Sequence, residues 1–385
     1  MSIGRSRWDR LISIEMILFF RIQPVRLSLT RNFFRMIRAS RGTPSLLCFL
    51  LLLIASSPVA VLAQEFWLDL PGAPGKPGTG KKVVLISGDE EYRSEEALPM
   101  LAKILSEQHG FHCTVHFSVH PDTKTVDPNY SSNIPGLENL DDADFMVMFL
   151  RFRALPEEQM KHIDRFVRAG KPLLAIRTAT HPFNYGDPNH PFASWSWNNG
   201  KWPGGFGQQV VGETWVSHHG VHNGQATRGV INPKHADAPI LRGVSDVFGP
   251  TDVYGVVHLP ANAQVVMFGQ VLSGMKPTDP PLPGEKNEPM MPLVWTKPYQ
   301  MPESNGLPAG KEGKAIGSTI GAAVDLLSED LRRLFVNGVY WGVGLDVPAK
   351  ASVSIPESYK PSYFGFKDKN FFTDKKILPK DLLKN

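Results

Sequence analysis

The sequence predicts an α/β fold: a mostly parallel wound sheet with flanking helices. Four short apolar runs fit buried strands, at residues 82–87 (KVVLIS), 111–119, 144–150 (DFMVMFL) and 171–176. Near-continuous apolar runs are what a sheet covered on both faces requires. Stretches with apolar residues at 3.6 spacing lie between them, and strands alternating with helices argue for a parallel sheet. Gly 34 and Pro 33 make about 17% of the 385 residues, against roughly 12% on average. That excess argues against a helical bundle and points to long loops. A chain that is 42% hydrophobic and 20% charged is globular, which excludes a disordered or fibrous protein.

The first 63 residues read as targeting sequence. Residues 1–41 carry nine arginines against Asp9 and Glu15, and residues 42–63 carry no formal charge. Residues 46–55 (LLCFLLLLIA) form an apolar run of ten, too short for a membrane span of about 20 but suited to a signal-peptide core. Val61-Leu62-Ala63 before Gln64 fits a cleavage site. Met36 opens a signal peptide of ordinary length, so residues 1–35 read as an over-extended start and 36–63 as the signal. The expectation is export, to the periplasm or outside the cell, with no membrane association after cleavage. An uncleaved N-terminal membrane anchor is the alternative. The net charge of +4 divides accordingly: +7 in the leader and −3 from residue 64 onward. The basic balance that would suit nucleic acid belongs to the leader, so no nucleic-acid partner is expected. One cysteine remains, Cys113, alternating with Phe111, Val115 and Phe117 as on the buried face of a strand.

In chain order, residues 64–81 read as a linker and 82–345 as one domain. Behind the first strand, Ser94 is placed to cap a helix, with Glu95 and Glu96 in its first turn and Leu98, Leu101, Ala102 and Leu105 on one face. Pro99 blurs where that helix begins. After the third strand Pro156 fits a first helical position, Met160, Ile163, Phe166 and Val167 form the stripe, and Gly170 ends the helix. Strand-like runs return at 264–271, 291–296 and 315–320, and a capped helix follows Ser328. Residues 346–385, lysine-rich, read as an extended tail.

Three charged turns sit where a parallel sheet holds ligands, beyond the carboxyl ends of its strands. The first is Asp89-Glu90-Glu91-Tyr92-Arg93-Ser94. Glu91 is a candidate for proton transfer, and Glu90 and Arg93 are candidates for holding a polar substrate, although these carboxylates also suit solvent or helix capping. The second, Arg151-Phe152-Arg153, offers Arg153 as an oxygen-binding group. The third, Arg177-Thr178-Ala179-Thr180-His181, places Arg177 where a hydrolase elbow carries Ser or Cys, so no acyl-enzyme nucleophile is available there. Arg177 reads as substrate-binding and His181 as a general base. Residues 181–224 add tryptophans and histidines, and Trp197, Glu213 and His218 suit the lining of a sugar site. His218, His219 and His222 could hold a divalent metal, but His218 and His222 suit one ion only on a helix, and the neighbouring Thr, Val and Gly residues argue for strand and turn. No cofactor is expected. No P-loop appears and no G-x-G-x-x-G follows a strand.

The segments VVLISGDEEYRSEEALP, MKHIDRFVRAGKPLLAIRTATHPF, GETWVSHHG, GPTDVYG, MPLVWTKPY and KAIGSTIGAAVDLLSEDLRRLFVNGVYWG together resemble the trehalose-utilisation (ThuA-like) family, in its planctomycete-type form. They span nearly all of residues 82–345. The resemblance implies a class I glutamine amidotransferase-like, flavodoxin-like sandwich without the amidotransferase nucleophile, and an activity linked to disaccharides and 3-keto-glycosides. It adds Asp252 and Tyr254, a partial match to the family's acidic D-E-x-Y stretch, as substrate-binding candidates. Two departures stand out. Family members commonly have Gly-Ile-His where this chain has Ala175-Ile176-Arg177, and Gly-His where it has Gly321-Ala322, so two histidines are missing here.

The expected function is that of an exported enzyme, a hydrolase or lyase, processing a carbohydrate or modified (3-keto) glycoside by acid/base chemistry. The alternative is a non-catalytic carbohydrate- or partner-binding module on the same scaffold. A small-molecule carbohydrate is the expected partner, and a homo-oligomer is left open.

Overall fold

A computed structural model describes residues 66–304 and 306–383. The leader read in residues 1–63 lies outside them. Among the described residues, no helix is long and apolar enough to cross a membrane.

Ten strands form one sheet: β1 Trp67–Leu70, β2 Lys82–Gly88, β3 His112–Phe117, β4 Phe145–Leu150, β5 Leu173–Ile176, β6 Thr227–Ile231, β7 Val247–Gly249, β8 Gln264–Val271, β9 Met291–Tyr299 and β10 Gly313–Ser318. Their order is β1-β3-β2-β4-β5-β10-β9-β8-β6-β7. Strands β3, β2, β4, β5 and β10 run parallel, whereas β1 pairs antiparallel with β3. From β10 onward every pairing, through β9, β8, β6 and β7, is antiparallel. The sheet is therefore mixed rather than mostly parallel. Parallel strands need a crossover connection, usually a helix, and the helical periodicity that supplies one fades after residue 181.

The parallel half is covered on both faces, as its apolar runs require. Helices α1 (Ser94–Lys103) and α3 (Glu329–Gly342) lie over one face, and α2 (Glu157–Arg168) over the other. Alternate residues of β4 divide between two cores: Phe145, Val147 and Phe149 join Leu98 and Leu334, while Met146, Met148 and Leu150 join Met160 and Phe166. Cys113 is buried on the inner face of β3, where burial pushes its thiol well up, as suits an inert core group.

Two stretches differ from expectation. Residues 64–81, read as a linker, contain β1, whose Leu68 and Leu70 enter the core. Residues 346–385, read as an extended tail, carry a short helix α4 (Phe371–Lys375), and Val347, Val353, Tyr359 and Phe364 are buried in the core. Strand β1 and helix α4 are too short to show a periodicity, and the burial of both stretches is decided by what they pack against.

Candidate functional site

Because β2, β4, β5 and β10 are parallel, their carboxyl ends lie at one edge, and the turns that follow meet there. The three turns read from the sequence share a backbone feature: Arg93, Phe152 and Arg177 adopt positive φ of 61°, 50° and 44°. Non-glycine residues in this region are held by their surroundings at a cost of about 1–3 kcal/mol each.

The innermost residue is Arg177, fully buried. Its Nη1 donates to the carbonyls of Thr319 (2.7 Å) and Asp252 (3.2 Å), and its Nη2 donates to Asp252 Oδ1 (3.2 Å). The guanidinium lies between the rings of Tyr92 (4.1 Å) and Tyr254 (4.2 Å). Asp252, 1% exposed, is shared further: His218 Nδ1 donates to its Oδ2 (2.6 Å) and His222 Nδ1 to its Oδ1 (3.2 Å). Burial would raise the Asp252 pKa, but the His218 hydrogen bond and the Arg177 charge outweigh it and hold the group below the usual carboxylate range. On its far side, His222 Nε2 stands 3.7 Å from Glu91 Oε1. Burial, reinforced by neighbouring Asp89, pushes the Glu91 carboxyl up to about 7 despite Arg151 at 3.6 Å. The result is a chain of groups, Glu91–His222–Asp252–His218, backed by Arg177. Its two imidazoles remain partly open, 35% exposed at His218 and 27% at His222.

Aromatic residues wall one side. Trp215 packs edge-on against His218 and Tyr254, and His181 sits among Phe152 (4.8 Å), Trp215 (5.1 Å) and Tyr254 (6.5 Å). Trp197 packs on Phe152 at 5.7 Å. The C-terminal tail crosses the other side: Phe364 lies against Tyr92 and His222, Gly365 N–H donates to the Glu91 carbonyl (2.8 Å), and Phe366 covers Arg151 at 4.8 Å.

Glu91, Arg177, His218, Asp252 and Tyr254 thus come together, with Trp197 in the aromatic wall. The other candidates have different duties. His181 is 2% exposed, bonds Thr180 Oγ1 (3.0 Å), and burial holds its pKa well below the usual histidine range, so it is a sealed neutral side chain. Glu90 is clamped by Arg151 (2.5 Å) and Arg153 (2.6 Å). Arg153 spends its remaining donors on the carbonyls of Arg151, Pro128 and Tyr130, which makes it a brace for the turns. Arg93 bonds the carbonyls of Glu90 and Gly365 and lies over Phe372, tying down the tail. Glu213 accepts from the N–H groups of Thr214, Val257 and His258 and from the His258 ring, organising that loop. Asp89 accepts from the Glu91 and Tyr92 N–H groups and from Thr178 Oγ1. Glu90, Arg93, Arg153 and Glu213 are thus tied into the turns by bonds to neighbouring chain, as buried polar groups generally are.

The expected metal set also changes. His219 Nε2 bonds the Lys286 carbonyl (2.8 Å), away from the other two histidines. Among the described residues, the group that could hold an ion is His218, His222 and Asp252, whose donor atoms all lie within 4.8 Å of one another. His218 forms an isolated bridge with Tyr254 and His222 lies in a turn, so the two rings meet, 4.7 Å apart, without a helix.

No family model matches the chain, and no curated protein matches it. In structure it is similar to a ThuA-like protein from Parabacteroides merdae, with TM-score 0.41 and 13% identity over 74% of this chain and 97% of that one. It is also similar to a ThuA-like protein from Bacteroides uniformis, with TM-score 0.42 and 12% identity over 71% of this chain and 97% of that one. Both carry the name of the family whose motifs the sequence resembles; at these scores the likeness stays a similarity.

Proposed function

We propose that the chain is an exported ThuA-like enzyme, on a class I glutamine amidotransferase-like scaffold, that processes a carbohydrate or 3-keto glycoside by acid/base chemistry without a covalent nucleophile. The observation that carries this reading is the Glu91–His222–Asp252–His218 chain at the carboxyl edge of the parallel strands, with Arg177 in place of a nucleophile. Asp252 accepts from His218 Nδ1, which fixes the proton there and leaves the Nε2 lone pair for base work. Glu91 is the matching proton donor. The roles expected of Glu91 and His181 therefore pass to Glu91 and His218. In a 3-keto glycoside the carbonyl acidifies the neighbouring C2–H. His218 takes that proton, the electron pair forms a C1–C2 double bond, and the C1–O bond breaks as Glu91 protonates the departing oxygen. Trp215 and Trp197 offer faces for sugar C–H groups.

The test is turnover. Incubation with 3-keto and plain disaccharides should release a free sugar, and Glu91→Gln and His218→Ala should each lower kcat by about 10²–10⁴, the usual worth of a positioned acid or base. Sugar binding without turnover by the native chain would overturn the enzyme reading. It would leave the non-catalytic binding module, a reading favoured by the tail lying over His222 and Glu91.

A further inference from the structure

We propose that His218, His222 and Asp252 form a binding site for one divalent transition metal, an inference that uses the residues of the proposed site but not its reaction. The donor atoms are two imidazole nitrogens and a carboxylate, a borderline set that suits zinc, iron or manganese rather than calcium or magnesium, which prefer oxygen alone. The donor atoms lie within 4.8 Å of one another, so small side-chain shifts bring them onto one ion. His218 Nδ1 and His222 Nδ1 stand 2.6 and 3.2 Å from the two Asp252 oxygens, and ligands held about 2.0–2.1 Å from a tetrahedral ion lie roughly 3.3 Å apart.

Two further features point the same way. The first is charge. The carboxylates of Asp89, Glu90, Glu91, Asp252 and Asp325 meet at this edge against the guanidinium groups of Arg151, Arg153 and Arg177. Five carboxylates against three guanidinium groups leave carboxylates in excess even when Glu91 carries a proton, and that favours a cation beside Asp252. Arg177 already offsets one carboxylate, so its presence beside Asp252 does not remove that excess. The second feature is outer support. When an ion takes the Nδ1 lone pair of His222, the ring proton moves to Nε2, 3.7 Å from Glu91 Oε1. Metal-bound histidines characteristically donate their second N–H to a carboxylate, and a shift of about 0.7 Å would bring Glu91 within that reach. No net proton is released, because each neutral imidazole only exchanges tautomer.

Calorimetric titration of the purified chain with Zn²⁺ should give one equivalent bound in the presence of excess Mg²⁺, and Co²⁺ should give the visible absorption of nitrogen and oxygen ligands. His218→Ala and His222→Ala should each weaken binding at least tenfold, and Glu91→Gln about tenfold, in line with outer-carboxylate losses. His219→Ala, whose ring bonds Lys286, should leave binding unchanged. Both histidines of the site are partly exposed, so their removal should keep the fold, checked by circular dichroism. Absence of stoichiometric binding, equal affinity in the His218→Ala/His222→Ala chain, or an equal loss in His219→Ala would overturn the proposal. An ion on His218 Nδ1 places the ring proton on the Nε2 that the acid/base reading uses, so zinc should inhibit turnover. Turnover of the metal-free chain judges the acid/base reading and zinc stoichiometry judges the metal, so either can fail alone.

Discussion

At the residue scale, the buried charge of Arg177 determines what its neighbours can do. Its guanidinium is shielded by Tyr92 and Tyr254 and balanced by Asp252, which in turn orients two imidazoles. Breaking a buried pair strands the surviving charge and typically costs about 3–5 kcal/mol. Arg177→Met should therefore lower the unfolding free energy obtained by urea titration by that much, and an unchanged value would mean that the histidines alone satisfy Asp252. A second residue sets an acid limit. His116, fully buried and bonded to the Pro135 carbonyl (2.9 Å) and Thr114 Oγ1 (3.0 Å), has its pKa lowered by burial to about 4. The unfolded chain takes up this proton near pH 6.5 and the folded chain only near 4. The His116 contribution to stability should thus fall as pH drops between these values, by roughly 3 kcal/mol. His109 and His181 act in the same direction, whereas Glu91 and Glu95, whose carboxyls burial pushes up to about 7 and about 8, act in the opposite one. Unfolding free energies of wild type and His116→Gln across pH 4–7 would show it, since the variant should lose part of the slope. The sequence placed Arg177 and Glu91 at turns beyond strands, but it could not show that Arg177 would be spent on Asp252, 75 residues away.

At the scale of elements, the turns beyond β2, β4 and β5 are shaped by close packing as much as by charge. Gly207 backs against the third turn: a Cβ there would lie 1.7 Å from the Thr180 carbonyl oxygen and 2.9 Å from that of Glu213. Gly207→Ala should displace the Thr178–His181 turn and cost at least about 1–3 kcal/mol, the usual range for overpacking, read as a lower melting temperature. A melting temperature equal to wild type would show that the turn gives way freely. The elements around this turn were legible unevenly. Helices α2 and α3 announced themselves through their stripes at Met160–Val167 and Leu331–Val339, and β4 through an unbroken apolar run. Strands β6 and β7 did not, because Thr227–Ile231 is only half covered and Val247–Gly249 is three residues long. The histidine cluster was visible in composition, yet its members sit on turns, where spacing along the chain says little about which ring faces which.

For the molecule as a whole, the tail is part of the fold. Its Val347, Ala351, Val353, Tyr359 and Phe364 complete the core beside α1 and α3, and each such side chain contributes about 1.5–3 kcal/mol on burial. That sum rivals the entire stability of a typical domain, so a chain ending at Asp346 should lose its cooperative thermal transition. A truncated chain that melts like the full one would show the tail to be an accessory. The sequence by itself determined the alternation of strands and helices through residue 176, the buried faces of those elements, the charged turns at one sheet edge and the presence of Arg177, rather than Ser or Cys, at the third turn. Those features depend on local periodicity and on the handedness of the chain, which neighbouring residues encode. The tertiary structure alone decided the antiparallel half of the sheet, the docking of β1 and the tail, the sealing of His181, and the meeting of Glu91, His218, His222 and Asp252. Each of these depends on which distant surfaces exclude water together and which buried polar atoms find partners, and nothing in the local order of residues specifies that.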